Sequence, residues 1–266
     1  MIEGNGIKSI GLHAFYKCIS LASFNIPVGV STIDKYAFCG CSNMQSVNIP
    51  STVSNIKEGA FKECTSLKEI ILPEGVTTLG HYAFRYCDGC QKVVIPSTLS
   101  SFGDCVFGSC SGEAIINCEI PDAKRYANGT VIYGAFGNSF FHKVTISEGI
   151  TTIGDYAFEY NSKLKEVVLP ESLTTIKGYA FHECSGLTHF TIPKNIATIG
   201  TRAFWECSNL HLVYCYPATP PTLGAGVFAE ANADLIIKVS AESIDAYMAA
   251  SDWDPYEVCL EVSVWL

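Results

Sequence analysis

Apolar residues along this chain recur neither every 3.6 residues nor strictly at every second one, but in a longer pattern that returns about every 23. Phe15, Phe38, Phe61, Phe84, Phe107, Phe136, Phe158, Phe181, Phe204 and Phe228 mark one position of it, and six of the nine intervals are 23, the others being 29, 22 and 24. A fixed period of this size signals a solenoid, in which each unit is too small to bury its own apolar face and covers its neighbour's instead. Read from the Phe, a full unit runs A-F-x-x-C-x-x-L-x-x-V-x-I-P-x-x-V-x-x-I-G, and the stretch AFKECTSLKEIILPEGVTTLG from Ala60 to Gly80 follows it almost throughout. Within it Ile70 and Leu72 stand two residues apart, the spacing of inward positions on a half-buried strand. Pro73 ends that strand because it has no N–H for a ladder. Val76 and Leu79 then face inward from a second short extended piece, and Gly80 permits a turn. The next HYAF returns the chain in a tight or 3₁₀-like turn. Every coil therefore needs a parallel neighbour on each side.

Two places depart from the pattern. Between Phe107 and Phe136 lie six extra residues, around EIPDAKRYANGTVIYG from Glu119 to Gly134. The segment carries Lys124 and Arg125 as a local basic spot and the sequon Asn128-Gly129-Thr130. It reads as an irregular coil with a longer loop, and insertions of this kind can also form a binding loop on one face of a solenoid. After the last repeat, LIIKVSAESIDAYMAASDW predicts a strand and then a helix over Ala241–Ala250, with Ser240 as N-cap and Ile244, Tyr247 and Met248 on one face. A solenoid's last coil exposes apolar surface and strand edges that such a lid would cover. No comparable cap precedes Ile7, which suggests a missing N-terminal piece.

The stretches VSTIDKYAFCGCSNMQSVNIP, VTTLGHYAFRYC, ITTIGDYAFEYNSKLKEVVLP and IATIGTRAFWECSNL closely resemble the 23-residue units of BspA-like bacterial leucine-rich repeat proteins. The resemblance runs over roughly residues 7 to 217. The tail, from YCYPATPPTLGAGVF through the Ser-led helix and its Trp, is similar to the closing segment of such proteins in Bacteroides-type bacteria. It implies a β-rich α+β solenoid: a right-handed leucine-rich-repeat superhelix of short parallel strands and tight or 3₁₀ turns, with a small strand-helix cap. The expected organisation is a solenoid over residues 1–217, with an irregular longer unit at about 108–136, and a capping segment over 218–266. The resemblance further implies a secreted or cell-surface protein engaged in adhesion, with host matrix or cell-surface proteins as partners.

Composition narrows the alternatives. With 48% hydrophobic and 16% charged residues the chain can build a substantial core. Its formal charge is -9, with 17 basic residues scattered among 26 acidic ones, so phosphate neutralisation by clustered Lys and Arg has no basis and nucleic acid is not an expected partner. No apolar run approaches the roughly 20 residues of a membrane helix, and the N-terminus lacks the basic start and apolar core of a secretory signal.

Of thirteen cysteines, Cys18, Cys41, Cys64, Cys87, Cys110, Cys184 and Cys207 share one register, where Ser139 and Asn161 replace them in two units. A position that accepts Cys, Asn or Ser wants a small side chain able to bond a turn's backbone, which predicts a buried column of free thiols. Leucine-rich repeats use Asn or Cys there for that purpose, as the resemblance implies. The rival is a zinc or disulfide framework. Cys39–Cys41 and Cys87–Cys90 invite it, but no second pair or histidines follow at matching spacing. No metal and no cofactor are expected. His182, Glu183 and Cys184 are contiguous, yet Cys184 obeys the repeat, whereas a catalytic residue should be an exception to it. No Gly-x-Ser-x-Gly elbow, phosphate loop or His-Glu-x-x-His is present. The chain reads as non-enzymatic.

What remains for function is the solvent side of the strands. The outward pairs read Ser23/Asn25, Ser46/Asn48, Glu69/Ile71, Lys92/Val94, Ile115/Asn117, Lys143/Thr145, Glu166/Val168, His189/Thr191 and Leu212/Tyr214. The C-terminal half is the more mixed and aromatic, which nominates Lys143, Glu166, His189, Thr191, Leu212 and Tyr214, together with the loop residues Lys124 and Arg125, as a partner-binding set. His189, His211, Leu212 and Tyr214 are also open to a second account, favoured here, in which they are end-of-stack residues tucked under the cap. The column His13, Tyr36, Tyr82, Tyr156 and Tyr179 is read as structural, a contact stripe being the lesser alternative. Two other functions stay in view. One is a spacer within a larger surface protein; the other is a carbohydrate-binding module built on Trp205, Glu206 and Tyr214.

Overall fold

Each pass of the chain lays down one strand of two or more residues on a wide face and a two-residue strand on a narrow one, then turns back through the Tyr-Ala-Phe segment. The computed structural model describes residues 6–123 and 134–263. All strand pairings in it are parallel. The result is a parallel-strand solenoid of about 11 turns with almost no helix.

The wide ladder is hydrogen-bonded in three runs. Ser23–Asn25 pairs with Ser46–Asn48. Glu69–Ile71, Lys92–Ile95, Ser111–Ile116, Phe140–Ile146 and Glu166–Val168 form the second run. His189–Ile192, Leu212–Cys215, Ile236–Ser240 and Leu260–Ser263 form the third. The narrow ladder runs from Ser9–Ile10 to Ser101–Phe102 and again from Thr152–Ile153 to Thr222–Leu223. Between the two narrow runs, Ile120 bridges to Ile153.

Inside, the repeated phenylalanines form an unbroken stack from Phe15 to Phe228. Phe38 and Phe61 lie 5.1 Å apart and 2° from parallel, Phe181 and Phe204 5.3 Å apart at 6°. The separation matches the strand spacing, so one ring per coil fills one layer of core. The apolar anchors read from the repeat are inside: Leu67, Ile70, Leu72, Val76 and Leu79 are all buried.

The return turn has a regular hydrogen-bond code. Within the coil, Ala37, Cys39 and Cys41 donate N–H to the carbonyls three residues back, at 3.2 Å each; between coils, Tyr36, Phe38 and Gly40 donate to Glu58, Ala60 and Lys62 at 2.8–3.0 Å. Alternate amides thus serve the turn and the stack, and no donor is wasted. The geometry sets two residues per coil at positive φ. One is the residue before Ala (Tyr36 at 55°, Tyr82 at 59°, Tyr156 at 58°, Tyr179 at 56°); the other is two residues after Phe (Gly40 at 76°, Glu183 at 54°, Glu206 at 58°). Most of these are not glycine, so the stack holds them in a conformation L-residues otherwise avoid. Gly59 breaks the tyrosine column for a different reason: a Cβ there would collide with the ring of Tyr36.

The expected thiol column exists. Cys18, in the first described coil, is exposed, but from Cys41 on each thiol of the column donates to the carbonyl of the Phe one coil back, Cys64 to Phe38 at 3.3 Å, Cys184 to Phe158 at 3.2 Å and Cys207 to Phe181 at 3.1 Å. Asn161 does the same with its amide, reaching Phe136 at 3.2 Å. Ser139 is too short for that reach and donates to Phe136 of its own coil at 2.7 Å. All thirteen cysteines are free thiols, eleven of them buried.

Two expectations need correction. The outward pair in the irregular unit is Glu113/Ile115, not Ile115/Asn117, because Glu113 lies opposite Lys92 and Ile115 opposite Val94. The strand starts early at Ser111, and a register shift at Gly112/Glu113 absorbs the extra length. Gly112, at φ 84°, sits against the backbone of Gln91, where no side chain fits. The closing helix is also shorter than predicted, Ile244–Met248, with Ser243 as its N-cap and no side-chain cap bond. Ser240 instead ends a strand and accepts the N–H of Ser243 through its hydroxyl at 3.2 Å. Only Tyr247 of the predicted apolar face is buried; Met248 is exposed.

Candidate interaction face

The six strand residues nominated from the sequence form two adjacent columns on the wide face. Register pairs Lys143 with Glu166, His189 with Leu212 and Thr191 with Tyr214. Glu166, His189 and Thr191 are exposed, while Lys143, Leu212 and Tyr214 are half-buried. Lys124 and Arg125 lie outside the described residues.

The two columns carry different chemistry. One reads Glu69, Lys92, Glu113, Lys143, Glu166, alternating in sign coil by coil, and then turns to His189, Leu212 and Ile236. Opposite charges directly across a parallel ladder support the pairing of neighbouring coils. Lys143 Nζ lies 2.8 Å from Glu166 Oε1, and this bond raises the lysine's pKa above its ordinary value. Glu166 is exposed and Lys143 half-buried, and a pair this open to solvent adds little to stability. The other column is apolar or hydroxylic, with Ile71, Val94, Ile115, Thr145, Val168, Thr191 and Tyr214, before closing on the ion pair Lys238–Glu261 at 2.7 Å.

Between Glu166–Val168 and His189–Ile192 the ladder of paired strands is interrupted. A depression of about 440 Å³ opens there, with Val168 and Phe190 in its lining, Glu166, His189 and Lys194 supplying polar groups, and Tyr216 at its edge. Val168 and Tyr216 are among the large apolar residues that remain exposed. Lys194 and Tyr216 were not singled out from sequence. Their signal was available: each falls one or two residues beyond its strand, where the chain leaves the face but still borders it.

The capping segment meets the half-buried Leu212 and Tyr214 through its strand, not its helix. The strand Ile236–Ser240 continues the ladder beside them, placing Ile236 against Leu212 and Lys238 against Tyr214 on the same face. The helix lies on the inner side: the Tyr247 hydroxyl donates to the Pro217 carbonyl at 2.8 Å and touches the Cys215 thiol, and Trp253 Nε1 donates to Pro221 at 2.9 Å.

The cysteine pairs do not converge on a metal geometry. Cys87 donates to the Phe61 carbonyl and Cys90 to Lys92, each at 3.3 Å, and burial pushes the Cys90 thiol up to about 12. Cys184, beside His182, is likewise pushed well above its ordinary value by burial, the reverse of what a nucleophilic thiolate needs. Trp205, nominated for carbohydrate, is engaged within the protein, stacked on His182 at 4.6 Å and covered by Arg202 at 4.5 Å.

Comparison with known proteins agrees with this architecture. The family model for the BspA type leucine rich repeat region matches six copies over residues 2–119 and 130–248. The chain belongs to the BspA-type leucine-rich repeat family. Among solved structures it is similar to a leucine-rich repeat protein of Treponema pallidum, at 22% identity over 79% of this chain and 74% of that one, with a TM-score of 0.49. It is also similar to a leucine-rich repeat protein of Bacteroides ovatus, at 21% identity over 96% and 87% with a TM-score of 0.38. A leucine-rich cell surface protein of Faecalibacterium prausnitzii matches at 22% identity over 97% and 80%, with a TM-score of 0.39. No curated protein matches the chain. Among the described residues no helix is long and apolar enough to cross a membrane.

Proposed function

We propose that this chain is a non-enzymatic extracellular or cell-surface repeat protein that holds another protein, of a host matrix or cell surface, against its wide strand face. The observation that carries this reading is the interrupted ladder. There an exposed apolar residue (Val168) and the polar residues Glu166, Glu171, His189 and Lys194 line one depression, with Leu212 and Tyr214 in register beside His189 and Thr191. A mixed apolar and polar patch with an aromatic edge is the composition of protein interfaces. Affinity on such a face is spread over several coils, with no single pocket dominating. The family supports interaction in general, and the cell-surface description belongs to the Faecalibacterium protein.

The test is binding of the full chain to immobilised matrix proteins and to intact cells, with a glycan array run in parallel. Tyr214→Ala should weaken protein binding only partly. His189→Glu combined with Thr191→Glu, both at exposed positions, should reduce it at least tenfold. Deleting residues 158–203, two coils, should abolish it. Equal binding by that deletion overturns the assignment to this face. Signal on glycans alone would favour a carbohydrate module. Silence on every surface would favour a spacer.

A further inference from the structure

One cluster on the return turns of successive coils has the composition of a metal site. In the position following each repeated Phe, successive coils place Glu159, His182 and Trp205. His182 is only 5% exposed and Glu159 only 4%. Nδ1 of His182 lies 2.9 Å from Glu159 Oε1, so Nδ1 carries the proton and donates it to the carboxylate. That tautomer leaves the lone pair on Nε2. Nε2 is buried and has no hydrogen-bond partner among the described residues, an unusual state for a buried nitrogen.

Nε2 faces two carboxylates. Glu183 Oε1 stands 3.5 Å away, and the ligating atoms of His182, Glu183 and Glu206 all lie within 4.8 Å of one another. Glu183 and Glu206 are equivalent residues of adjacent coils, both held at positive φ by the turn. Their side chains are half-exposed. With Glu159 behind the imidazole, the group carries three carboxylates. A lone pair pointing at carboxylate oxygens is repulsive unless a proton or a metal cation sits between them.

We propose that His182, Glu183 and Glu206 bind a divalent transition-metal cation of the zinc class. Imidazole nitrogen with carboxylate oxygen suits Zn²⁺, Co²⁺ or Ni²⁺ and disfavours Mg²⁺ and Ca²⁺, which prefer oxygen alone. Glu159 is the outer partner that orients the imidazole and raises its basicity, the carboxylate–histidine–metal arrangement. Trp205, stacked on the His182 ring at 7°, holds that ring in place and supplies a built-in reporter. Three protein ligands leave coordination positions open toward the polar depression of about 570 Å³ lined by Asn138, Ser162, Ser185 and Ser208 among others.

The competing account is an imidazolium shared between Glu159 and Glu183 with no ion required. Titration of the chelator-treated full chain with Co²⁺ separates the two, followed by tryptophan quenching and by visible absorption. The work is done in a Cys18→Ser, Cys259→Ser background, because these are the two cysteines that are not buried. The proposal expects one equivalent bound, quenching lost in Trp205→Phe, and no thiolate charge-transfer band. Glu183→Gln and Glu206→Gln, which change half-exposed residues and leave the core intact, should each weaken binding at least tenfold. Glu159→Gln should weaken it by about 10–100-fold. Zn²⁺ should compete with Co²⁺, and millimolar Mg²⁺ should not. No stoichiometric binding, binding unchanged in both glutamine variants, or equal competition by Mg²⁺ would each overturn it.

Discussion

The thiol of Cys64 donates a hydrogen bond to the carbonyl of Phe38, 26 residues earlier and one coil back, at 3.3 Å. The same carbonyl also accepts the Cys41 amide at 3.2 Å. The thiol is therefore a second bond on an acceptor that already has one, and its volume matters as much as its proton. Cys64→Ser should cost about 1 kcal/mol or less, the scale of one neutral hydrogen bond. Cys64→Leu, which forces extra methyl groups between fully packed layers, should cost about 1–3 kcal/mol. Urea midpoints of the two variants check the ranking.

Burial also sets which thiols react. Cys18, in the first described coil, is exposed and Cys259 half-buried, while the other eleven are buried. A thiol reagent under native conditions should modify Cys18 quickly, Cys259 slowly, and the remainder only in denaturant. Labelling read by intact mass gives the count directly; fast reaction of Cys184 would contradict the packing described here.

The same thiols make the fold sensitive to alkali. Burial raises Cys41 to about 11 and Cys90, Cys118, Cys207 and Cys215 each to about 12, from an ordinary value of 9.0. The folded pKa lies above the unfolded one, so this contribution is fully present below pH 9. It is lost as pH rises from 9 toward 11–12, because the unfolded chain releases its thiol protons first. Each such thiol should remove about 1.4 kcal/mol of stability by pH 10. Urea midpoints at pH 7.5, 9 and 10 should fall steeply over the last interval. A flat profile would mean these thiols are not buried.

Most of this architecture was legible because a repeat states its core many times over. The phenylalanine, cysteine and leucine positions could be read from spacing alone, since each coil imposes the same constraint. Legibility failed where one coil differs. Asn117 was placed outward because the strand Ser111–Ile116 begins early and shifts register at Gly112, which a fixed period cannot reveal. The shortness of the closing helix followed from Ser240 ending a strand, a matter of tertiary context. The Glu159–His182 pair was missed because the position after Phe varies freely, from Lys62 to Gly137 to Trp205, and invites no attention. Reading that column down the stack, an acid next to an imidazole next to an indole, would have found it.

Phe107 and Phe15 test how the stack distributes its stability. Phe107 is fully buried between Phe84 and Phe136, while Phe15 is only partly covered and has one stacked phenylalanine neighbour of its own column, Phe38. Phe107→Ala should cost about 3–5 kcal/mol. Phe15→Ala should cost less than half as much, and thermal melts of the pair read the difference.

Deleting one period is the most direct test that repeated side chains serve to hold coil upon coil. Removing residues 61–83 joins Ala60 to Phe84 and brings Phe84 onto Phe38, with thiol, strand and turn still in register. The shortened chain should unfold cooperatively in urea and keep its circular dichroism per residue, while removal of residues 61–71, half a period, should abolish folding. Failure of the 23-residue deletion to fold, or indifference to the 11-residue one, would contradict the account.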